Sequence, residues 1–399
     1  MEKIVVNEDE EMELTKVEGD LEILDGATVN VTSEVLKITG DLICKGDVLI
    51  KGSVQANMIK HRNGYLEIEG DVQVKEVHVS SSRMRNGSQL TIYGNLVCDK
   101  ADIDGGLEVD KDFTCDEVRI MGACKIHGEA KVSDYKVSGS AKHGGNLTAV
   151  EVEVDGSLKA EVNVFVKDEF EISGSAKVEG KLEAPEIEVG GSLVCGDLIA
   201  VEIEIGGSTK VNSAKVEDKI SVSGSFKSNE SVVAKVVGCN GSAKIGDNSQ
   251  IANLSVNGAT KTGSNFKFEE ISVNGAFAME DNAYGNNLTI NGSCKFGGLL
   301  QLTKDLKING SLSGDKTEAD EITVAGSLNC EETRARFILV EQNSRVTGTL
   351  IAEKAIIEEG ARVENIIADD VEIGEDARVN YVQAKILDAH PSAKYKLKE

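Results

Sequence analysis

Tryptophan is absent from these 399 residues, proline occurs twice, and all aromatics together make up 4%. Basic charge is also short: 43 Lys and Arg stand against 68 Asp and Glu, a net charge of −25. That balance removes the concentrated basic footprint nucleic acid binding requires, and it disfavours anionic membrane surfaces. No apolar run approaches the roughly eighteen residues of a spanning helix. The opening MEKIVVNEDEEME has neither a basic nor an apolar leader region, so no signal peptide is expected. The eight cysteines include no C-x₂-C pair, the usual signature of a zinc site. What is plentiful is glycine, 41 residues, set among Val, Ile, Ser and Glu. Glycine without proline in that company predicts many short strands with frequent corners.

The glycines are periodic. Aligned on [VI]-x-G-[SAG], they fall at 105, 122, 139, 156, 174, 191, 207, 224, 241, 258, 275, 292, 310 and 326, at intervals of 16, 17 or 18. Two positions before them, from Ile103 and Ile120 to Ile308 and Val324, every residue is apolar. Four before them stand Val118, Val152, Ile187, Ile203, Ile220, Leu254, Ile271 and Ile322. Two after come Leu107, Leu158, Leu193, Phe226, Phe277 and Leu328. This period of two marks strands with one buried face. A further apolar column lies seven before: Cys115, Val132, Ala149, Ala184, Ala200, Ala234, Ile251 and Ala319. Its odd offset predicts a corner between −7 and −5.

Seventeen residues is too short for a helical hairpin, and the 3.6-residue period is missing. It fits one coil of three short strands and three tight corners, stacked on the next at ~4.8 Å. The fold expected is all-β: a single-stranded parallel β-solenoid with about 17 residues per coil, right-handed by the crossover rule. Followed over residues 1–399 as one continuous solenoid, it gives roughly 23 coils and a rod on the order of 110 Å. Residues 105–330 are the regular coils. In the irregular N-terminal coils, 1–104, VEGDLEI at 17–23, ITGDLIC at 38–44, IEGDVQV at 68–74 and IYGNLVC at 92–98 repeat one phrase at uneven spacing, with an insertion near 80–88. Over 331–399 the register changes, to Ser344-Arg345-Val346, Ala361-Arg362-Val363 and Ala377-Arg378-Val379, before a short tail.

VEGDLEI, ISGSAKVEGKLEAPEIEVGGSL and the closing ADDVEIGEDARV closely resemble bactofilins, the polymer-forming cytoskeletal β-helix family. The resemblance implies a right-handed triangular β-helix that self-assembles without nucleotide into filaments serving as scaffolds. Two features depart from the family: the chain is unusually long, and it lacks the Pro-rich flexible tails.

Two charged ladders run along the repeat. Lys125, Lys142, Lys159, Lys177, Lys210, Lys227, Lys244, Lys261 and Lys295 lie three after the Gly, facing outward. They either shield the sheet with their stems or face an anionic partner. Glu151, Glu153, Glu169, Glu171, Glu186, Glu188, Glu202 and Glu204 place eight carboxylates on four successive coils, as a solvated face or a dock for a partner's lysines. Dense carboxylates can collect Ca²⁺, but no loop of carbonyls accompanies these, so neither a metal nor a cofactor is expected. Five corners read Asn-Gly (Asn240, Asn257, Asn274, Asn291, Asn309), and their side chains can hydrogen-bond from coil to coil. The cysteines, Cys44, Cys98, Cys115, Cys124, Cys195, Cys239, Cys294 and Cys330, all fall in core columns. They read as small hydrophobes with free thiols in a reducing, cytoplasmic setting.

Enzymatic activity is not expected. Carbohydrate-active β-helices need long loops and aromatic platforms, and hexapeptide-repeat acyltransferases, the nearer rival with an 18-residue coil, need a catalytic His and a projecting loop. Here His143 falls in a core column, His127 beside a corner, and His61, His78 and His390 in the irregular ends. No Ser or Cys nucleophile arrangement accompanies them. The expected function is a self-assembling scaffold whose partner is itself, with other scaffolded proteins besides. The alternative is a monomeric rod docking partners on its ladders. Assembly is expected end to end, because terminal coils leave open β edges: Ile366, Ile367, Tyr381, Val382, Ile386 and Leu387 at one end, Ile4, Val5 and Val6 at the other. The tail from Lys394 to Lys398 either caps that edge or joins the junction.

Overall fold

A strand's N–H and C=O groups point sideways and must be paired, and a 17-residue repeat supplies an equivalent strand once per coil. The computed structural model describes residues 3–80 and 87–397; the chain is all-β, with 49 strands and no helix among those residues. It divides into two compact units, Met1–Ala200 and Val201–Glu399. Each is a parallel β-solenoid with about 17 residues per coil.

One coil of the first unit gives the plan. Its three arms are Glu151–Val154, Ser157–Ala160 and Val164–Val166. Each pairs in parallel with the same arm of the next coil: Val152 with Phe170, Leu158 with Ala176, Val164 with Leu182. Alternate side chains turn inward, so Val152, Val154, Leu158, Ala160, Val164 and Val166 are buried while their neighbours are not. The −2, −4 and +2 columns are buried throughout. The odd offset at −7 has the expected cause. In Phe113–Ile120 the inward phase slips by one at Asp116 and Glu117, whose N–H groups both donate to the Asp99 carbonyl.

Glycine is required at the corner by lack of room. A Cβ on Gly122, Gly139, Gly156 or Gly191 would lie 2.0 Å from the carbonyl oxygen of the corner glycine one coil earlier. The N–H of each such glycine and that of the residue before it share one carbonyl of the preceding coil, as Asp155 and Gly156 do with Val137. Corner and ladder thus interlock too closely for any side chain.

The uneven N-terminal phrase marks a corner, and each coil has three. Leu21 and Leu42 of the first two phrases pair with each other in the first arm. Val72 and Leu96 pair in the third arm, and Leu107 lies in the second, beneath Leu90. The phrase therefore moves from corner to corner, which accounts for intervals that are not multiples of seventeen. Two coils are also swollen. Thr28–Ile38 bulges between Asn30 and Val35, and the coil from Leu66 to Leu90 holds the insertion, residues 81–86 of which lie outside the described residues.

In the second unit the Asn-Gly corners stack. Asn257 donates from Nδ2 to Oδ1 of Asn240 at 2.9 Å, Asn274 to Asn257 at 2.9 Å, Asn291 to Asn274 at 2.8 Å and Asn309 to Asn291 at 2.7 Å. From Ser311–Val324 onward the arms merge into strands of 12 to 14 residues. After 330, where a register change is expected, the corner keeps its place and alters its shape: Leu328 pairs with Val346, Val346 with Val363 and Val363 with Val379, one unbroken core column. The corner before it gains a left-handed residue instead, Asn343, Gly360 or Asp376. Ala319 departs from the expected core column. It is half-buried, and Thr317 takes the inward place.

The corner geometry predicts a sharp contrast between neighbouring positions. Gly156→Ala is expected to cost about 1–3 kcal/mol, the usual penalty of overpacking, and to lower the denaturant midpoint. Gly190→Ala, whose Cβ would meet nothing nearer than 3.6 Å, is expected to leave the midpoint unchanged. Equal midpoints for the two variants would show that the corner carbonyl does not demand glycine.

Candidate functional site

Parallel in-register pairing turns any recurring outward residue into a ladder with ~4.8 Å rungs. The lysine column is such a ladder. Lys125, Lys142, Lys159 and Lys177 pair in sequence in the first unit, and Lys210, Lys227, Lys244 and Lys261 do so in the second. Their environments differ. In the first unit Glu161 lies 2.9 Å from Lys142 and 3.5 Å from Lys159, and Glu179 lies 3.7 Å from Lys159 and 3.1 Å from Lys177. Lys125 pairs with Glu108 at 2.7 Å. These lysines hold the pKa values of Glu161, Glu179 and Glu108 below the ordinary carboxylate range. Lys261 pairs with Glu280 at 3.1 Å. Lys210, Lys227, Lys244 and Lys295 form no ion pair with any described residue.

The carboxylate ladder is barer still. Glu153 pairs with Glu171, Glu169 with Glu186 and Glu171 with Glu188 along the strands. Of the eight, Glu153 alone has a cation among the described residues, Lys136 at 3.1 Å. Partial desolvation, then Glu171, Glu186 and Glu188, hold the Glu169 carboxyl above its usual range. Glu202 and Glu204 are exposed on Asp197–Ile205. Elsewhere Glu108, Asp110 and His127 bring three ligand atoms within 4.8 Å of one another. They are not fully buried, and Lys125 and His127 already engage Glu108, so the group reads as an ion-pair cluster.

The histidines are dispersed. His143 is fully buried, with the Tyr135 hydroxyl on Nε2 at 2.6 Å and no partner for Nδ1 among the described residues. Burial lowers its pKa to about 4 and raises that of Tyr135. The pair is a sealed core contact that sequence reasoning found only in half: His143 was visible as a core position, but its partner eight residues away was not. His61 is buried against the Gly64 carbonyl at 2.9 Å. His78 lies 3.1 Å from Glu76, and His390 2.8 Å from the Ser392 hydroxyl. All eight cysteines are buried and free. Cys98 and Cys115 prove to be stacked, sulfur to sulfur at 3.2 Å, because the phrase at 92–98 occupies the third arm.

The strand edges divide the expected junction residues. Ile366 and Ile367 are not edge residues: they sit between Leu350 and Ile351 on one side and Val382 and Gln383 on the other. Val382 is buried and pairs onward with Leu397. The tail strand Lys394–Leu397 covers only the beginning of Arg378–Ala389, so the stretch 383–389 has no described partner on its outer side. Ile386 is 65% and Tyr381 47% exposed, and Leu387 half-buried. Lys3–Val6 pairs with Asp20–Ile23 and with no other described strand; Val6 is buried, Ile4 half-buried and Val5 exposed.

No described helix is long and apolar enough to cross a membrane. No protein-family model matches the chain, and no similar curated protein or solved structure was found.

Two predictions follow from the buried groups. The His143 pKa is depressed in the fold relative to about 6.5 in an unfolded chain, so the unfolded state takes up the proton first. Stability present above pH 6.5 is therefore lost as pH falls towards about 4, by about 3 kcal/mol in all. His143→Gln, which keeps a hydrogen-bonding amide, should flatten this slope between pH 6.5 and 4.5 in denaturant titrations; an unaltered slope would refute it. Burial also raises Cys124, Cys195, Cys294 and Cys330 to about 12. An aromatic disulfide reagent at pH 8 should modify few thiols in the native protein and all eight in denaturant.

Proposed function

We propose that this chain is a non-enzymatic structural protein that self-assembles, without nucleotide, into a bactofilin-like filament or scaffold. The observation that carries the reading is the unpaired outer edge at 383–389 together with that of Lys3–Val6. An inner strand such as Arg362–Ile373 pairs on both sides, whereas these edges have no partner among the described residues and present donors and acceptors beside Ile386, Leu387 and Val5. A parallel edge of this kind is completed most readily by another strand of the same geometry, and a second copy carries one. The Lys394–Leu397 strand covers only part of one edge, which leaves the rest for the junction. Eight buried free thiols fit a reducing, cytoplasmic setting.

Electron microscopy of the purified full chain without nucleotide is expected to show filaments. Ile386→Lys and Val5→Lys alter exposed side chains, and both variants should fold with unchanged circular dichroism. Loss of filaments in both indicates a head-to-tail junction; loss in Ile386→Lys alone indicates a symmetric junction through that edge. Single particles at every concentration of the wild-type chain would overturn the proposal.

A further inference from the structure

Two stretches of ladder without an ion-pair partner among the described residues match each other. Lys210, Lys227 and Lys244 are exposed, in register on three successive coils, with Ser208, Ser225 and Ser242 as the adjoining outward row. No described carboxylate pairs with them, although the same column is zipped to Glu161 and Glu179 in the first unit. Glu169, Glu171, Glu186 and Glu188 likewise repel one another with no cation among the described residues. Both ladders have the same ~4.8 Å rung, because both are built on parallel pairing. Two carboxylates on one strand, such as Glu186 and Glu188, are ~6.6 Å apart, so a lysine row fits along the channel between the two glutamate columns.

We propose that the row Lys210, Lys227 and Lys244 of one copy docks laterally on the ladder Glu169, Glu171, Glu186 and Glu188 of a second copy, rung against rung. The contact is small. Three rungs by one arm cover on the order of 200 Å² per partner, far below the roughly 1,000 Å² in total of a stable complex. Two separate chains therefore do not pair measurably, whereas copies already joined in a filament sum many such contacts. The inference thus rests on the self-assembly proposed above and adds to it that filaments bundle side by side.

The test compares filaments in 20 mM and 500 mM salt by microscopy and low-speed pelleting. Bundles are expected at low salt and single filaments at high salt, since exposed pairs are screened as the Debye length shrinks. A chain carrying Lys210→Glu, Lys227→Glu and Lys244→Glu should form single filaments under both conditions. One carrying Lys37→Glu, Lys51→Glu and Lys75→Glu, with the same net charge, should still bundle. Mixing the first variant with a chain bearing Glu169→Lys, Glu171→Lys, Glu186→Lys and Glu188→Lys should restore bundles that neither forms alone. Single wild-type filaments at low salt, or bundles indifferent to the Lys210, Lys227 and Lys244 reversal, overturn the lateral contact and leave the filament reading standing. Absence of filaments altogether overturns both.

Discussion

The spacing of one backbone on the next governs this protein. Parallel strands hydrogen-bond at ~4.8 Å, and a solenoid imposes that distance on the corners as well as on the arms. At the corners the peptide groups of successive coils come so close that a Cβ on Gly122 or Gly156 would lie 2.0 Å from a carbonyl oxygen. The glycine column is therefore a consequence of backbone pairing and owes nothing to an unusual φ. Where the corner opens by a residue or two, as before Val346 and Val363, the glycine gives way to Ser344 and Ala361, and a left-handed Asn343 or Gly360 makes the turn.

Much of this was legible in the chain because inward positions must be apolar at a period of two. The −2, −4 and +2 columns, the slip at −7 and the asparagine stack were each readable from side chains that answer to one neighbour, the same position one coil away. Three things were not. The phrase with glycine at 19, 40, 70 and 94 looks like one column, but it signals a local corner, and nothing local tells which of the three corners it is. Hence Cys98 and Cys115, assigned to separate columns by counting from glycine, are stacked at 3.2 Å. The Tyr135–His143 hydrogen bond joins two arms of one coil, a distance that depends on how the core is filled.

The ladders were legible as columns and illegible as electrostatics. Counting from glycine places nine lysines alike, yet the structure separates them by what stands two residues further on. Glu161 and Glu179 lie two after Lys159 and Lys177 and bridge to the lysine of the neighbouring coil. Asn212, Asn229 and Gly246, two after Lys210, Lys227 and Lys244 in the second unit, carry no charge. One side chain per coil thus decides whether a row is neutralised internally or left bare.

The same logic determines what kind of chemistry such a fold can carry. A catalytic site gathers different groups around one point, which requires loops that break the period. In this chain the described coils keep the period at almost every step, so a residue placed outside is repeated up the stack and a residue placed inside is sealed. His143 and the eight thiols are chemically quiet for that reason: all are buried, and burial also raises Cys124 and Cys195 out of the thiolate range. Much of what the described coils present to solvent is periodic: rows of one charge, rows of amides, and strand edges with unpaired backbone. Periodic surfaces suit periodic partners, and the second copy proposed above has the same ~4.8 Å rung spacing.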